Sequence, residues 1–349
     1  LYIMDQLDEN FLWDIDEDSM WDHIFKGMME GTGDKYSEYM NEEEYAQYQD
    51  TVSGSYSGIG VEIANNTEGN VVVMSVFKDS PAYEAGLKTG DVICSADDED
   101  LLGTTTSYAV TFIRGEIGTS VHLGVLRDGE KLYLDIVRGN IERVYVNSKM
   151  LDGDIGYINI TEFETNTYDQ FASAVKELTS SGMKGLILDL RQNPGGLVNE
   201  AVQIADDLLP KCQIVYLMDK KGNKSSYNSD NYCLDMPLVV LVDEYSASSS
   251  EILTVALKDN DAATIVGKTT FGKGIVQIMI PLSDGSFYKY TYQQYYGPAG
   301  DSIHGKGITP DVEAELPEEY QNVLISDIPY ENDTQLQKAV EVMEEKIGR

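Results

Sequence analysis

Only three histidines, His23, His122 and His304, occur in 349 residues, and they fall in three different segments. A histidine triad is hard to assemble from such a set, and no His-x-x-x-His or comparable pair offers a zinc site. His304, in Ser302-Ile303-His304-Gly305, is the one histidine beyond residue 150 and keeps a histidine-based hydrolase open as an alternative. Cysteine is equally scarce. Cys94, Cys212 and Cys233 make neither a disulfide framework nor a zinc-spaced set. Three reduced thiols are expected, with a Cys212–Cys233 bond as the alternative. Basic residues number 25 against 60 acidic ones, a formal net charge of -35. A surface this acidic repels phosphate backbones and disfavours anionic lipid, which argues against nucleic acid as a partner. No apolar run approaches the roughly 18 residues of a membrane-spanning helix. The chain begins at Leu1, with no initiator Met and no basic-then-apolar leader. Either it is trimmed, or an export signal or membrane anchor preceding this segment has been removed.

What is present is globular. Apolar residues make up 42% of the chain, and its length suits two domains plus helical arms. Residues 1–52 read as acidic amphipathic helices, with Phe11, Leu12, Trp13, Met20, Trp21, Ile24 and Phe25 as expected buried anchors. Asp14, Asp16 and Asp18 resemble the start of a calcium loop, but Ser19 and Phe25 stand where its Gly and Glu belong. No metal is expected.

From 53 to 140 short β-rich runs (59–63, 71–76, 92–95, 120–126, 131–137) alternate with Gly and Asp turns, and helices are expected at 81–85 and 108–113. From 141 to 315 the pattern becomes α/β. Strands are expected at 155–160, 185–190, 213–217 and 237–242, and helices at 168–178, 197–209 and 249–259. The runs 185–190 and 237–242 are continuously apolar, as strands covered on both faces are. A hairpin follows at 274–281 and 286–295, turning at Ser283-Asp284-Gly285. Residues 316–349 end in an amphipathic helix at 334–347.

Three segments carry chemistry. Val242–Glu251 runs from a buried strand into a helix start and holds Ser246, Ser248, Ser249 and Ser250. A hydroxyl there is exposed by the turn, and the free N–H groups of the helix start suit an oxyanion. Serines at a helix start are more often simple caps. In Thr269–Gln277, Lys273 lies between two glycines beside Phe271, Ile275 and Val276. A free lysine is a poor base at neutral pH, and burial lowers its pKa by up to about 3–5 units; without burial it is a lysine in a glycine turn. Leu188–Leu197 ends a strand in a Gly-rich turn able to aim N–H groups into a cleft. A tight turn is the alternative, and neither the Walker nor the dinucleotide spacing is present. Ser181-x-x-Lys184 falls in a helix-to-strand connection and is read as chance.

In this order, Gly33–Met40, Gly58-Ile59-Gly60, Ser80-Pro81-Ala82, Ala85–Asp91, Phe112-Ile113-Arg114-Gly115, Gly185–Gly196, Ser246–Ile252, Thr270–Gly274 and Gly307–Asp311 resemble the carboxyl-terminal processing, or tail-specific, proteases. Each motif is weak alone; together, in sequence, they are specific. The resemblance implies a multidomain α/β fold: a crotonase/ClpP-like α/β protease core with an inserted, mostly β PDZ domain and helical N- and C-terminal arms. It implies Ser248 as nucleophile, Lys273 as general base 25 positions on, and Gln277 as the residue orienting the lysine. Ser249, where the family more often has Ala, and Gly195 or Gly196 are implied as oxyanion donors. Gly58, Ile59 and Gly60 are implied to bind a substrate's terminal carboxylate, and Arg114 to contact the core and gate it. The implied activity is that of a serine endopeptidase acting on polypeptides with free C-termini. A non-catalytic PDZ-containing adaptor on the same fold is the alternative. The resemblance further implies no cofactor, an extracytoplasmic location such as the cell envelope or a periplasm-like space, and a homodimer paired through the helical arms.

Overall fold

The computed structural model describes residues 2–52 and 55–348. The chain divides into two compact units, Leu1–Val52 with Val144–Arg349, and Ser53–Arg143. Residues 53 and 54, where the first domain boundary is expected, lie outside the described residues.

The larger unit is built on a six-stranded sheet in the order Val146–Leu151, Ile155–Ile160, Gly185–Asp189, Leu238–Val242, Ala263–Gly267, Val312–Glu313. The first pair is antiparallel and the rest run parallel. The alternation of side chains assigns the two faces. Leu186, Leu188, Val240 and Val242 pack with the helices Thr167–Ser180, Val198–Leu208 and Ser249–Asp259, whereas Ile187, Val239 and Leu241 pack against Leu336, Ala339 and Met343 of the helix Thr334–Lys346. Both faces are covered, which is why these strands read as unbroken apolar runs. The apolar face of the C-terminal helix is therefore spent on its own sheet and is not an orphaned surface.

A second, antiparallel sheet centres on Phe287–Tyr296, which pairs with Glu38–Met40, Gln213–Asp219 and Ile275–Pro281; Lys224–Asn228 extends it. Tyr295 and Val215 carry its inner face into the core shared with the three helices. The strand Glu38–Met40, inside the segment expected to be wholly helical, has Tyr39 and Met40 buried on this sheet.

The N-terminal anchors are a correction. No residue of the helices Tyr2–Asn10 and Glu17–Glu30 is buried, and Phe11, Leu12 and Trp13 are 49%, 80% and 69% exposed. They sit in the connection between the two helices, where the single chain offers no surface to cover them. Trp21 and Phe25 are half-buried, and Phe25 meets Tyr39 at 5.1 Å between ring centroids. Asp16 caps the second helix by accepting the Ser19 N–H.

The smaller unit is an antiparallel sheet in the order Val61–Asn65, Val71–Val76, Val92–Ala96, Ser120–Arg127, Glu130–Val137, with helices Pro81–Glu84 and Thr106–Ile113. Its own core holds Ile59, Val73, Ile93, Leu123 and Ile136. The strand expected from Ile59 begins only at Val61, because Gly60 takes φ +85° and breaks the extension.

Candidate active site

The strand Leu238–Val242 ends in a tight connection to the helix Ser249–Asp259, and Ser248 sits at its apex with φ 55° and ψ -113°. Positive φ is sterically costly for a residue bearing Cβ and persists only where neighbours hold it. Here they do. The Ser248 N–H donates to Glu251 Oε2 at 3.0 Å, and the Ala247 N–H and the Ser250 hydroxyl both donate to Asn193 O at 3.0 Å. The four serines of this segment differ sharply. Ser246, Ser249 and Ser250 are fully buried, and their hydroxyls donate to the carbonyls of Leu190, Gly196 and Asn193. Ser248 alone reaches the surface.

Lys273 lies in a loop that packs backbone-to-backbone on residues 304–307. A Cβ at Gly272 would sit 2.9 Å from Gly307 N and one at Gly274 2.5 Å from His304 N, so both flanking positions need glycine. Burial lowers the Lys273 pKa, with Lys289 and Lys35 acting in the same direction and Glu251 and Asp34 opposing. The apolar neighbour expected to help, Phe271, is half exposed. Nζ lies over the Tyr36 ring, 4.9 Å from its centroid. Among the described residues no hydrogen bond joins Lys273 to Ser248, nor Gln277 to Lys273; the Gln277 amide donates across the hairpin to Thr291 Oγ1 at 3.3 Å.

The residue that brings the two loops together is Glu251. Fully buried, its carboxylate accepts from Ser248 N (3.0 Å) and Lys273 N (2.8 Å) at Oε2, and from Thr270 Oγ1 (2.6 Å) and Gly272 N (2.7 Å) at Oε1. One oxygen thus holds the backbone nitrogens of Ser248 and Lys273, which are closer together than the sum of those two distances. Tyr295 adds a second tie, its buried hydroxyl lying 2.5 Å from Lys273 O and 3.0 Å from Ser248 O. Neither residue is singled out by sequence reading. The signal was an acid three residues into a helix in a chain full of acids, and a tyrosine in a Tyr-rich strand.

The Gly-rich turn is close by. A Cβ on Gly195 would lie 2.7 Å from Ser248 Cβ and 2.9 Å from Ser249 N, so this glycine keeps open the space beside the serine. The Gly195 N–H itself donates to Asn193 Oδ1 at 2.8 Å, which leaves Gly196 and Ser249 as the N–H groups without a partner among the described residues. The turn is anchored from below by Arg191, fully buried between Asp189 (2.6 Å) and Asp333 (2.7 Å). His304 is exposed and its ring makes no hydrogen bond among the described residues.

In the smaller unit, Gly58, Ile59 and Gly60 lead into Val61–Asn65, the edge strand of the sheet. A Cβ on Gly60 would lie 2.3 Å from Ser80 Cβ. Among the described residues neither the Ile59 nor the Gly60 N–H donates a hydrogen bond. Arg114 follows the helix Thr106–Ile113, whose last carbonyls are held by the buried Arg138.

Residues 154–314 match peptidase family S41 and residues 57–137 match the PDZ domain. The carboxy-terminal processing protease CtpA of Bacillus subtilis is 36% identical over 317 residues, 90% of this chain and 68% of that protein. The chain belongs to peptidase family S41. A probable CtpA-like serine protease of Staphylococcus haemolyticus is 38% identical over 86% of this chain, which spans 60% of that relative's length. Among solved S41 structures, the photosystem II D1 C-terminal processing protease superposes with a TM-score of 0.54 at 29% identity, covering 88% of this chain and 86% of that one. The chain is thus an S41 peptidase-family protein of mixed α/β fold carrying a PDZ domain.

Proposed function

We propose that this S41 chain is a serine endopeptidase that works through Ser248 and Lys273 on polypeptides held by their free C-termini. The observation that carries the reading is the Glu251 carboxylate. It tethers the loop of Ser248, the one serine of its segment that reaches the surface, to the loop of a lysine whose pKa is lowered.

In the proposed reaction, Lys273 turns off the Tyr36 ring toward Ser248, and its neutral amine takes the Ser248 proton. The Ser248 oxygen attacks the peptide carbonyl, and the resulting oxyanion is met by the N–H groups of Ser249 and Gly196. Lys273 then gives its proton to the departing amine as the C–N bond breaks. Water, deprotonated by the now neutral Lys273 amine, cleaves the acyl-enzyme ester, and Lys273 returns the proton to the Ser248 oxygen. Gln277 enters as an orienting group only if its amide leaves Thr291. The helix-start potential behind Ser248 favours the same negative charge.

Tail capture is supported by the N–H groups of Ile59 and Gly60, unengaged among the described residues, beside an edge strand able to accept a peptide as an added strand. Gating through Arg114 belongs to the same proposal. The exposed Phe11, Leu12 and Trp13 support pairing of two protomers through the N-terminal arm, which sedimentation of wild type against a triple Ala variant checks.

A peptide with a free apolar C-terminus, compared with its amidated form, tests the whole. Turnover should vanish in Ser248→Ala and Lys273→Ala and survive in His304→Ala, and amidation should raise KM. Full turnover by Lys273→Ala removes the proposed chemistry. Tail binding without turnover in the wild type supports the non-catalytic adaptor instead.

A further inference from the structure

Beside Lys273 the larger unit holds a cavity of about 620 Å³. Tyr36, Tyr245, Ala247, Phe271, Val323 and Leu324 are its large apolar share, Gln192, Gln321 and Asn322 its uncharged polar groups, and Ala247 adjoins Ser248 in the chain. This is the size range of ligand pockets. In a protein with 60 acidic residues, no carboxylate lines it among the described residues; the one charged lining group is Lys273. Tyr245, Phe271 and Leu324 of this lining are half or more exposed.

One wall comes from far along the chain. Residues 321–324 lie between the turns Glu318–Tyr320 and Ile325–Asp327, and a single side chain clasps them to the Gly-rich turn. Gln192 donates from Nε2 to Val323 O at 2.9 Å and accepts the Ile325 N–H at Oε1 at 3.1 Å. Gln192 is itself held in a left-handed conformation, φ 57°, with its N–H on the Asp243 carboxylate. The wall is therefore built onto the turn that carries Gly195 and Gly196.

The chemistry of this lining discriminates. A large apolar side chain leaves water and loses no hydrogen bond. A lysine or arginine side chain finds no carboxylate and meets Lys273, so its charge would be buried unpaired. An aspartate or glutamate would pair with Lys273 in its ammonium form and so hold the proposed base in its inactive state.

We infer that residues 321–324 form a specificity wall of the peptidase centre, selecting a large apolar side chain next to the bond to be cut, and that Gln192 is the positioning residue that holds this wall. The inference rests on the proposed Ser248 chemistry. It is tested with peptides that share one free C-terminal tail and carry Phe, Leu, Ala, Lys or Asp on either side of the cut bond, with products located by mass spectrometry. The enzymes are wild type, Leu324→Asp, Gln192→Ala and Ser248→Ala, each checked for folding by thermal unfolding.

Wild type should favour Phe or Leu over Ala by about 10-fold or more in kcat/KM, the usual yield of added methylenes in an apolar pocket. The side of the bond at which this holds identifies the subsite. Leu324→Asp should reverse the order of Phe and Lys. Gln192→Ala should raise KM for the Phe peptide several-fold with less effect on kcat. If wild type cuts and Ser248→Ala does not, yet Leu324→Asp leaves the Phe, Ala and Lys ratios within about twofold, the specificity wall is wrong and the peptidase reading stands. If Ser248→Ala cuts like wild type, or no peptide is cut, the peptidase reading falls and the inference falls with it.

Discussion

Glu251→Gln is the smallest change that separates the tether from its shape. The four close partners of the carboxylate are all donors, the N–H groups of Ser248, Gly272 and Lys273 and the Thr270 hydroxyl, with the Tyr295 hydroxyl a longer fifth at 3.5 Å from Oε2. A carboxylate accepts at both oxygens, but a carboxamide accepts at one and presents N–H at the other. If the new nitrogen replaces Oε2, the Ser248 and Lys273 N–H groups both lose their acceptor. If it replaces Oε1, Gly272 N loses its acceptor, and Thr270 must turn although its oxygen already accepts the Ile308 N–H. A buried donor left unsatisfied costs about 1–3 kcal/mol, and loss of the ionic character of the remaining bonds adds to it. The expected destabilisation is about 2–5 kcal/mol, a fall in Tm of roughly 5–10 °C for a unit of this size. Where about 2.7 kcal/mol of it reaches the reaction, kcat falls about 100-fold. Calorimetry and single-turnover cleavage measure the two effects on one sample. A Glu251→Gln enzyme with wild-type kcat and an unmoved Tm would refute the claim that this carboxylate holds the proposed nucleophile and base together.

Because the Lys273 pKa is lowered on folding, the unfolded chain binds more protons between that lowered value and the ordinary 10.5. Stability contributed at this site therefore rises with pH across that window; Lys273→Met should flatten the rise and stabilise the protein at neutral pH, read by denaturant titration. Removing the neighbouring cation in Lys289→Met should move the acid limb of the kcat/KM profile to higher pH, since Lys289 helps lower the Lys273 pKa; an unshifted limb contradicts this. Asp333→Ala leaves the buried Arg191 with one carboxylate and should cost about 3–5 kcal/mol in chemical denaturation. Gly60→Ala forces a Cβ to within 2.3 Å of Ser80 and should abolish tail-peptide binding by the smaller unit, measured by calorimetric titration, while cleavage of a tail-free peptide continues.

Much of the layout was legible along the chain. The strand 155–160 and the helix 249–259 fall where hydrophobic period and caps put them, and the apolar runs at 185–190 and 237–242 lie in a sheet covered on both faces. Local pattern suffices there because burial of both faces leaves one period to read. It failed for Phe11, Leu12 and Trp13, which have the composition of a core and no core to enter. It also overextended the strand at Ile59, where the backbone turn at Gly60 decides and hydrophobicity does not.

Sequence by itself determined the family, the order of the domains and the residue types available for chemistry, because these are carried by short motifs whose spacing survives in one dimension. The tertiary structure alone decided which serine of four is presented, that a buried glutamate binds the serine loop to the lysine loop, and that residues 321–324 wall the cavity beside them. Hydrogen bonds and burial depend on distance in space, and Glu251, Lys273 and Leu324 become neighbours of one centre only when the two sheets and the helix between them have packed.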